Sequence, residues 1–222
     1  MYQSILYKEW IKTGRLVVIL FLVLAAATGY LFINVAQTLR VGGAINTWEA
    51  IITQDLPLVS TLKWLPLLLG VVLSLAQYVP EMQSKRLKLT LHLPMNEVHT
   101  LSTMMLYGLV LLMAMFALLL GAIVLGFNVW FAPELTANAL TQLLPWLLAA
   151  LLGYTLTAWV CLEPTWRQRM INFVIMAAAL AMFFIPSFST GYKYFIPLLA
   201  FFVLLSVLFP FFSVARFKEG AQ

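Results

Sequence analysis

Few side chains in this sequence can do chemistry, and their spacing does not suit it. There are two histidines, His92 and His99, seven residues apart and with no cysteine nearby. A zinc site needs three or four nitrogen, sulfur or oxygen ligands converging on the ion, and this pair cannot supply them. The single cysteine, Cys161, excludes an intrachain disulfide and reads as a small apolar residue in a helix. The dipeptide Gly-Lys occurs nowhere, so the phosphate-cradling GxxxxGK[ST] loop is absent. No nucleophile, base and orienting group recur at a productive spacing. The chain is therefore expected to be no enzyme, to hold no metal or cofactor, and to draw on ATP only through another chain.

The densest group of polar residues is the segment Pro80–Pro94, PEMQSKRLKLTLHLP. Glu81 opens it, the basic cluster Lys85, Arg86 and Lys88 follows, and alternating leucines lead to Pro94. Val79–Pro80 is expected to end the preceding helix, so that a new element begins at Glu81. Asn96 and Glu97 suit the N-terminus of the next helix, where a capping side chain and a negative charge are favourable. A short charged helix here, tied to the elements on either side, would be a docking lever for a soluble partner. It could equally be a basic loop that only sets topology.

The elements that hold this segment follow from composition. Of 222 residues, 63% are hydrophobic and 9% charged, where a soluble domain carries about 25% charged residues. A soluble fold of this size cannot bury so much apolar surface. About 20 apolar residues cross the hydrocarbon core as a helix, and six stretches are long enough: Leu16–Val35, Leu58–Tyr78, Met104–Phe127, Leu143–Leu162, Met170–Phe188 and Tyr194–Val214. The alternation of a membrane β-barrel is absent. The expected fold class is an all-α integral membrane protein, a single transmembrane domain over residues 1–222. Pro66, Pro197 and Pro210 predict kinks.

Basic residues set the orientation. With six spans, Lys8, Lys12, Arg15, Lys85, Arg86, Lys88, Arg167, Arg169, Arg216 and Lys218 fall on one side, and Arg40, Lys63 and Lys193 on the other. Ten against three predicts both termini in the cytoplasm, and explains the net charge of +5 without nucleic acid. Ala25–Ala27 could imitate a signal-peptide cleavage site, but the apolar run continues through Tyr30–Ile33, so the first helix is read as retained. Residues 2–13 place Tyr2, Ile5, Leu6 and Trp10 on one helical face. They are expected to form a separate amphipathic helix in the membrane interface. Lys63 is the one charge inside a proposed span, near its outer end, where it can snorkel. Polar residues deep in the spans are few. Asn34, Ser74, Asn128 and Thr155 are candidates for a substrate path or for hydrogen bonds between helices. Gly121, Gly126 and Gly153 would permit close helix approach.

The Pro80–Pro94 segment resembles the first cytoplasmic loop of the ABC-2 family of ABC-transporter permeases. The matching positions are Glu81, Thr90–Leu91 and Leu93–Pro94, and the span count and amphipathic start are also similar. The sequence departs from the family where Leu89 stands in place of a frequent glycine, and where the segment between spans 5 and 6 is short. The resemblance implies a permease subunit of an exporter in the inner or plasma membrane. It implies a cytoplasmic coupling helix between spans 2 and 3, a second permease subunit (a homodimer or a related chain), separate ABC ATPase subunits carrying ATP-Mg, and no nucleic acid. Glu81, Lys85, Arg86, Lys88, Thr90, Leu91 and Pro94, with Glu163 and Arg167 of the second cytoplasmic loop, would then be the ATPase-docking residues. Two other functions fit the same architecture: a subunit that transmits ATPase motion or a signal without cargo, and an ATP-independent carrier or vitamin-binding subunit.

Overall fold

The computed structural model describes residues 2–53, 58–83, 97–185, 191–192 and 194–218. Every regular element among them is helical: α1 (Tyr2–Gly42), α2 (Ala44–Thr53), α3 (Leu65–Gln83), α4 (Glu97–Trp130), α5 (Pro133–Leu162), α6 (Trp166–Ala181), α7 (Ile196–Ser206) and α8 (Phe209–Lys218). Short 3₁₀ turns precede α3 at Ser60–Leu62 and extend α6 at Met182–Phe184. Six helical stretches are long and apolar enough to cross a membrane, the last being α7 and α8 together. The chain is a multi-pass membrane protein.

The element at the N-terminus differs from the expectation. Residues 2–13 are no separate interfacial helix but the first three turns of α1, which runs unbroken for 41 residues. The physical reason is a single buried stripe: Ile5, Glu9, Thr13, Val17, Leu20, Leu24, Thr28, Leu31 and Val35 are buried at steps of three and four. That period keeps one face of a straight helix against the bundle along its whole length. No residue between Tyr2 and Leu16 breaks it. At 1.5 Å per residue α1 is about 61 Å long, twice the roughly 30 Å hydrocarbon core.

The second difference is at Pro80. It does not end its helix: α3 continues through it to Gln83. Its missing N–H leaves the Ala76 carbonyl, one turn back, without its usual partner, yet the helix holds because Gln77, Tyr78 and Glu81 are all anchored by side-chain contacts described below. Pro66 and Pro197 are the second residues of α3 and α7, where a missing N–H is harmless, so they begin helices rather than kink them. Pro210 is likewise the second residue of its helix, α8, and there the span does break. Between α7 and α8 the backbone closes shorter turns, Val207 N–H to Leu204 O and Leu208 N–H to Leu205 O. Lys63 lies just before α3, with its ammonium 5.8 Å from the Trp64 ring centre.

The bundle is organised around α5, the most buried span, which packs on α3, α4, α6, α7 and α8. Its tightest neighbour is α3, because a β-carbon at Gly70 would run into the Ala150 carbonyl. A β-carbon at Gly108 would likewise strike the Tyr154 hydroxyl. One apolar core joins α1, α3, α4 and α5. A smaller one joins α5, α6 and α7. At the opposite end of α1, Gly43 turns the chain with a φ of +75°, a conformation glycine adopts without strain, and α2 follows at once.

A charged candidate site where the spans meet the basic face

The basic residues Lys8, Lys12, Arg15, Arg167, Arg169 and Arg216 mark one face of the bundle, and two carboxylates are buried there. Glu81, in the last turn of α3, is 1% exposed, and Glu9 of α1 is 0% exposed. Between them stands Lys12. Its Nζ is 2.9 Å from both Glu9 oxygens and 3.0 Å from Glu81 Oε1. Lys8 Nζ is 2.9 Å from Glu81 Oε1 and 4.0 Å from Glu9 Oε1. Among the described residues two ammonium groups thus face two carboxylates. A carboxylate in the last turn of a helix faces the negative end of its dipole, so Glu81 depends on these lysines of α1.

Hydrogen bonds carry this cluster into the bundle. Thr13 Oγ1 donates to the Glu9 carbonyl at 2.8 Å, so Tyr107 Oη, 2.8 Å away, donates to Thr13. Deeper, Gln77 Nε2 donates to the Met104 carbonyl at 2.7 Å, and Tyr154 Oη donates to Gln77 Oε1 at 2.7 Å. Tyr78 Oη, 3.2 Å from Tyr154 Oη, then acts as donor to it. These contacts join α1, α3, α4 and α5 at the basic end of the spans.

Glu163 forms the counterpart on the other side of the bundle. It is 1% exposed and sits at the end of α5, again at the negative pole of a helix. Ser213 Oγ of α8 donates to its Oε2 at 2.6 Å, Thr165 Oγ1 to its Oε1 at 3.3 Å, and Arg216 Nη1 lies 3.7 Å away. Arg169 Nη2 donates to the Glu163 carbonyl at 2.6 Å. Glu163 therefore ties α5, α6 and α8 together. Arg167 is exposed and takes no part in these contacts.

Of the residues singled out from the sequence, Glu81 and Glu163 are buried in ion-paired clusters and Arg167 is not. Lys85, Arg86, Lys88, Thr90, Leu91 and Pro94 lie outside the described residues, as do His92 and Asn96. Ser74 Oγ donates to the Tyr154 carbonyl at 2.8 Å, and Thr155 Oγ1 is 2.6 Å from Ser206 Oγ. Both bind helix to helix. Asn128 is exposed, and Asn34 lines a cavity of about 390 Å³ at the opposite face with Thr38, Thr47 and Ser60. Glu9, Gln77, Tyr78, Tyr107 and Tyr154 were not singled out in the sequence, and Lys8 and Lys12 were read there only as orientation signals, although the i, i+3 pair Glu9–Lys12 is a readable signal. Among the described residues no three His, Cys, Asp or Glu side chains converge as metal ligands would. No protein-family model, curated protein or solved structure matches the chain.

Proposed function

We propose that this chain is the transmembrane permease subunit of an ABC exporter, with its basic face and both termini in the cytoplasm of a cell that holds it in the inner or plasma membrane. It works as a pair with an identical or related subunit, and separate ATPase subunits supply ATP-Mg. The segment that follows α3 is their dock. The observation that carries this reading is the placement of Glu81. It closes α3 immediately before that segment and is gripped by Lys8 and Lys12 of α1. The segment's far end enters α4 at Glu97. A push on residues 84–96 is therefore delivered to α1, α3 and α4 together, as a two-state access change requires. Glu163 and Arg167 form the adjoining contact at the turn between α5 and α6.

The test is affinity purification in gentle detergent with mass spectrometry, on the natural chain and on the double variant Arg86→Glu/Lys88→Glu. A stoichiometric P-loop ATPase is expected with the natural chain, and its loss with the variant. A preparation free of ATPase, repeated in nanodiscs with an ATP analogue, overturns the reading and favours a stand-alone carrier or binding subunit. Normal ATPase recovery with the charge-reversed variant removes residues 84–96 as the dock.

A further inference from the structure

The last span breaks about halfway across. Its outer half α7 ends at Ser206, its inner half α8 begins at Phe209, and the two residues between them close shorter turns on the Leu204 and Leu205 carbonyls. Pro210 carries no N–H, so the Ser206 carbonyl, one turn back, loses its usual donor. In hydrocarbon an interrupted helix is tolerated where side chains of a neighbouring helix support it, and here α5 does so. Ser206 is 1% exposed, and its Oγ lies 2.6 Å from Thr155 Oγ1 and 2.7 Å from the Val203 carbonyl. The break is thus pinned to α5 at one point.

The two halves are held differently. α7 packs Leu199 and Val203 into the apolar core with Leu152 and Leu156 of α5. α8 meets α5 just below the break, where the Phe209 and Trp159 ring centres are 5.0 Å apart, and again toward its far end. There Ser213 Oγ donates to Glu163 Oε2 at 2.6 Å, and Arg216 Nη1 lies 3.7 Å from Oε1. Val214 is buried as well, but apolar contact within a bilayer has no hydrophobic drive behind it. Glu163 is fixed from its other side, because Thr165 Oγ1 donates to Oε1 and Arg169 Nη2 to the carbonyl oxygen. One buried carboxylate on a fixed turn therefore grips α8 through two of its side chains, while the break leaves α8 only a short backbone link to α7.

We propose that α8 is a hinged arm, latched by Glu163 and pivoting at Val207 and Leu208. With the latch closed, α8 lies along α5. With it open, α8 swings away while α7 stays in place. Kinks at proline exceed about 20°, and the 10 residues of α8 are about 15 Å long. A swing of that size carries the far end of α8 by about 5 Å. The device belongs to this chain alone and stands whether or not an ATPase docks.

Spin labels test it by pulsed electron spin resonance in nanodiscs, in a Cys161→Ala background. One pair, Leu106→Cys on α4 and Ala215→Cys on α8, reports the inner half, and a second pair, Leu106→Cys and Leu204→Cys on α7, reports the outer half. All three positions are exposed. With the latch intact each pair should give one narrow distance. Ser213→Ala/Arg216→Gln opens the latch and should shift or broaden the first distance by about 3 Å while leaving the second unchanged. Adding Pro210→Ala returns an N–H to the Ser206 carbonyl and should restore the narrow first distance, a rescue that misfolding would not produce. A first distance that is broad before the latch is touched, or unchanged after it, overturns the proposal. So does a change in both pairs alike, or a broadening indifferent to Pro210→Ala.

Discussion

Replacing Lys12 with methionine should be far more damaging than replacing Lys8, though the two lysines are one turn apart on the same helix. Among the described residues they balance Glu9 and Glu81, two charges against two, so losing either lysine leaves that group one positive charge short. The difference lies in what remains. Lys12 is 15% exposed and touches both carboxylates at 2.9–3.0 Å. Without it Glu9 keeps only Lys8, at 4.0 Å. Stranding a buried charge costs about 3 kcal/mol or more. Lys8 is 39% exposed, and its loss leaves both carboxylates on Lys12, so screening by solvent holds the penalty to about 1 kcal/mol or less. The double variant Glu9→Gln/Lys12→Met restores a one-to-one balance between Lys8 and Glu81 and should recover about 2 kcal/mol of the loss. Reversible unfolding by SDS in mixed micelles, followed by tryptophan fluorescence, measures all four proteins. Equal penalties for the two lysines, or a double variant that costs the sum of its parts, would refute the account of a buried, ion-paired quartet.

Two further outcomes are expected from the same assay. Gly70→Ala places a methyl group against the Ala150 carbonyl and should cost about 2 kcal/mol by forcing α3 and α5 apart, whereas Gly121→Ala, with open space around it, should be neutral or stabilise by up to about 1 kcal/mol. Tyr154→Phe strips Gln77 Oε1 of its donor inside the bundle and should cost about 1 to 2 kcal/mol. A neutral Tyr154→Phe would mean that the Gln77 amide finds another donor.

Membrane architecture was readable because it rests on composition: six apolar stretches of about 20 residues leave few alternatives. Local boundaries were less so, since they depend on tertiary partners. Pro80 reads as a helix end by backbone sterics alone, and it is overridden where Gln77, Tyr78 and Glu81 fasten the turns around it. Residues 2–13 have an apolar face that suits an interface, but the same period continues unbroken into the span, and continuity decided for a single helix. Among the glycines, those noted in the sequence were Gly121, Gly126 and Gly153, while Gly70 and Gly108 make the closest approaches to α5. Nothing about a glycine in an apolar run reveals which helix lies opposite. Glu81 and Glu163 were visible as charges flanking spans. Their burial was not, because it depends on Lys8 and Lys12 in one case and on Ser213 and Arg216 in the other, all far away in the chain.

The unequal length of the spans bears on the bilayer itself. While α1 is about 61 Å long and α4, with 34 residues, about 51 Å, the 16 residues of α6 make only about 24 Å, and its 3₁₀ extension adds about 6 Å. One flank of the molecule therefore overreaches the hydrocarbon core and the other barely matches it. Mismatch with the bilayer is set by apolar length rather than by helix length, and the surplus of α1 lies in its first turns, where Lys8, Lys12 and Arg15 stand. Those turns carry the charged cluster of Glu9, Lys12 and Glu81 to the level of the lipid head groups, where no charge has to be held in hydrocarbon.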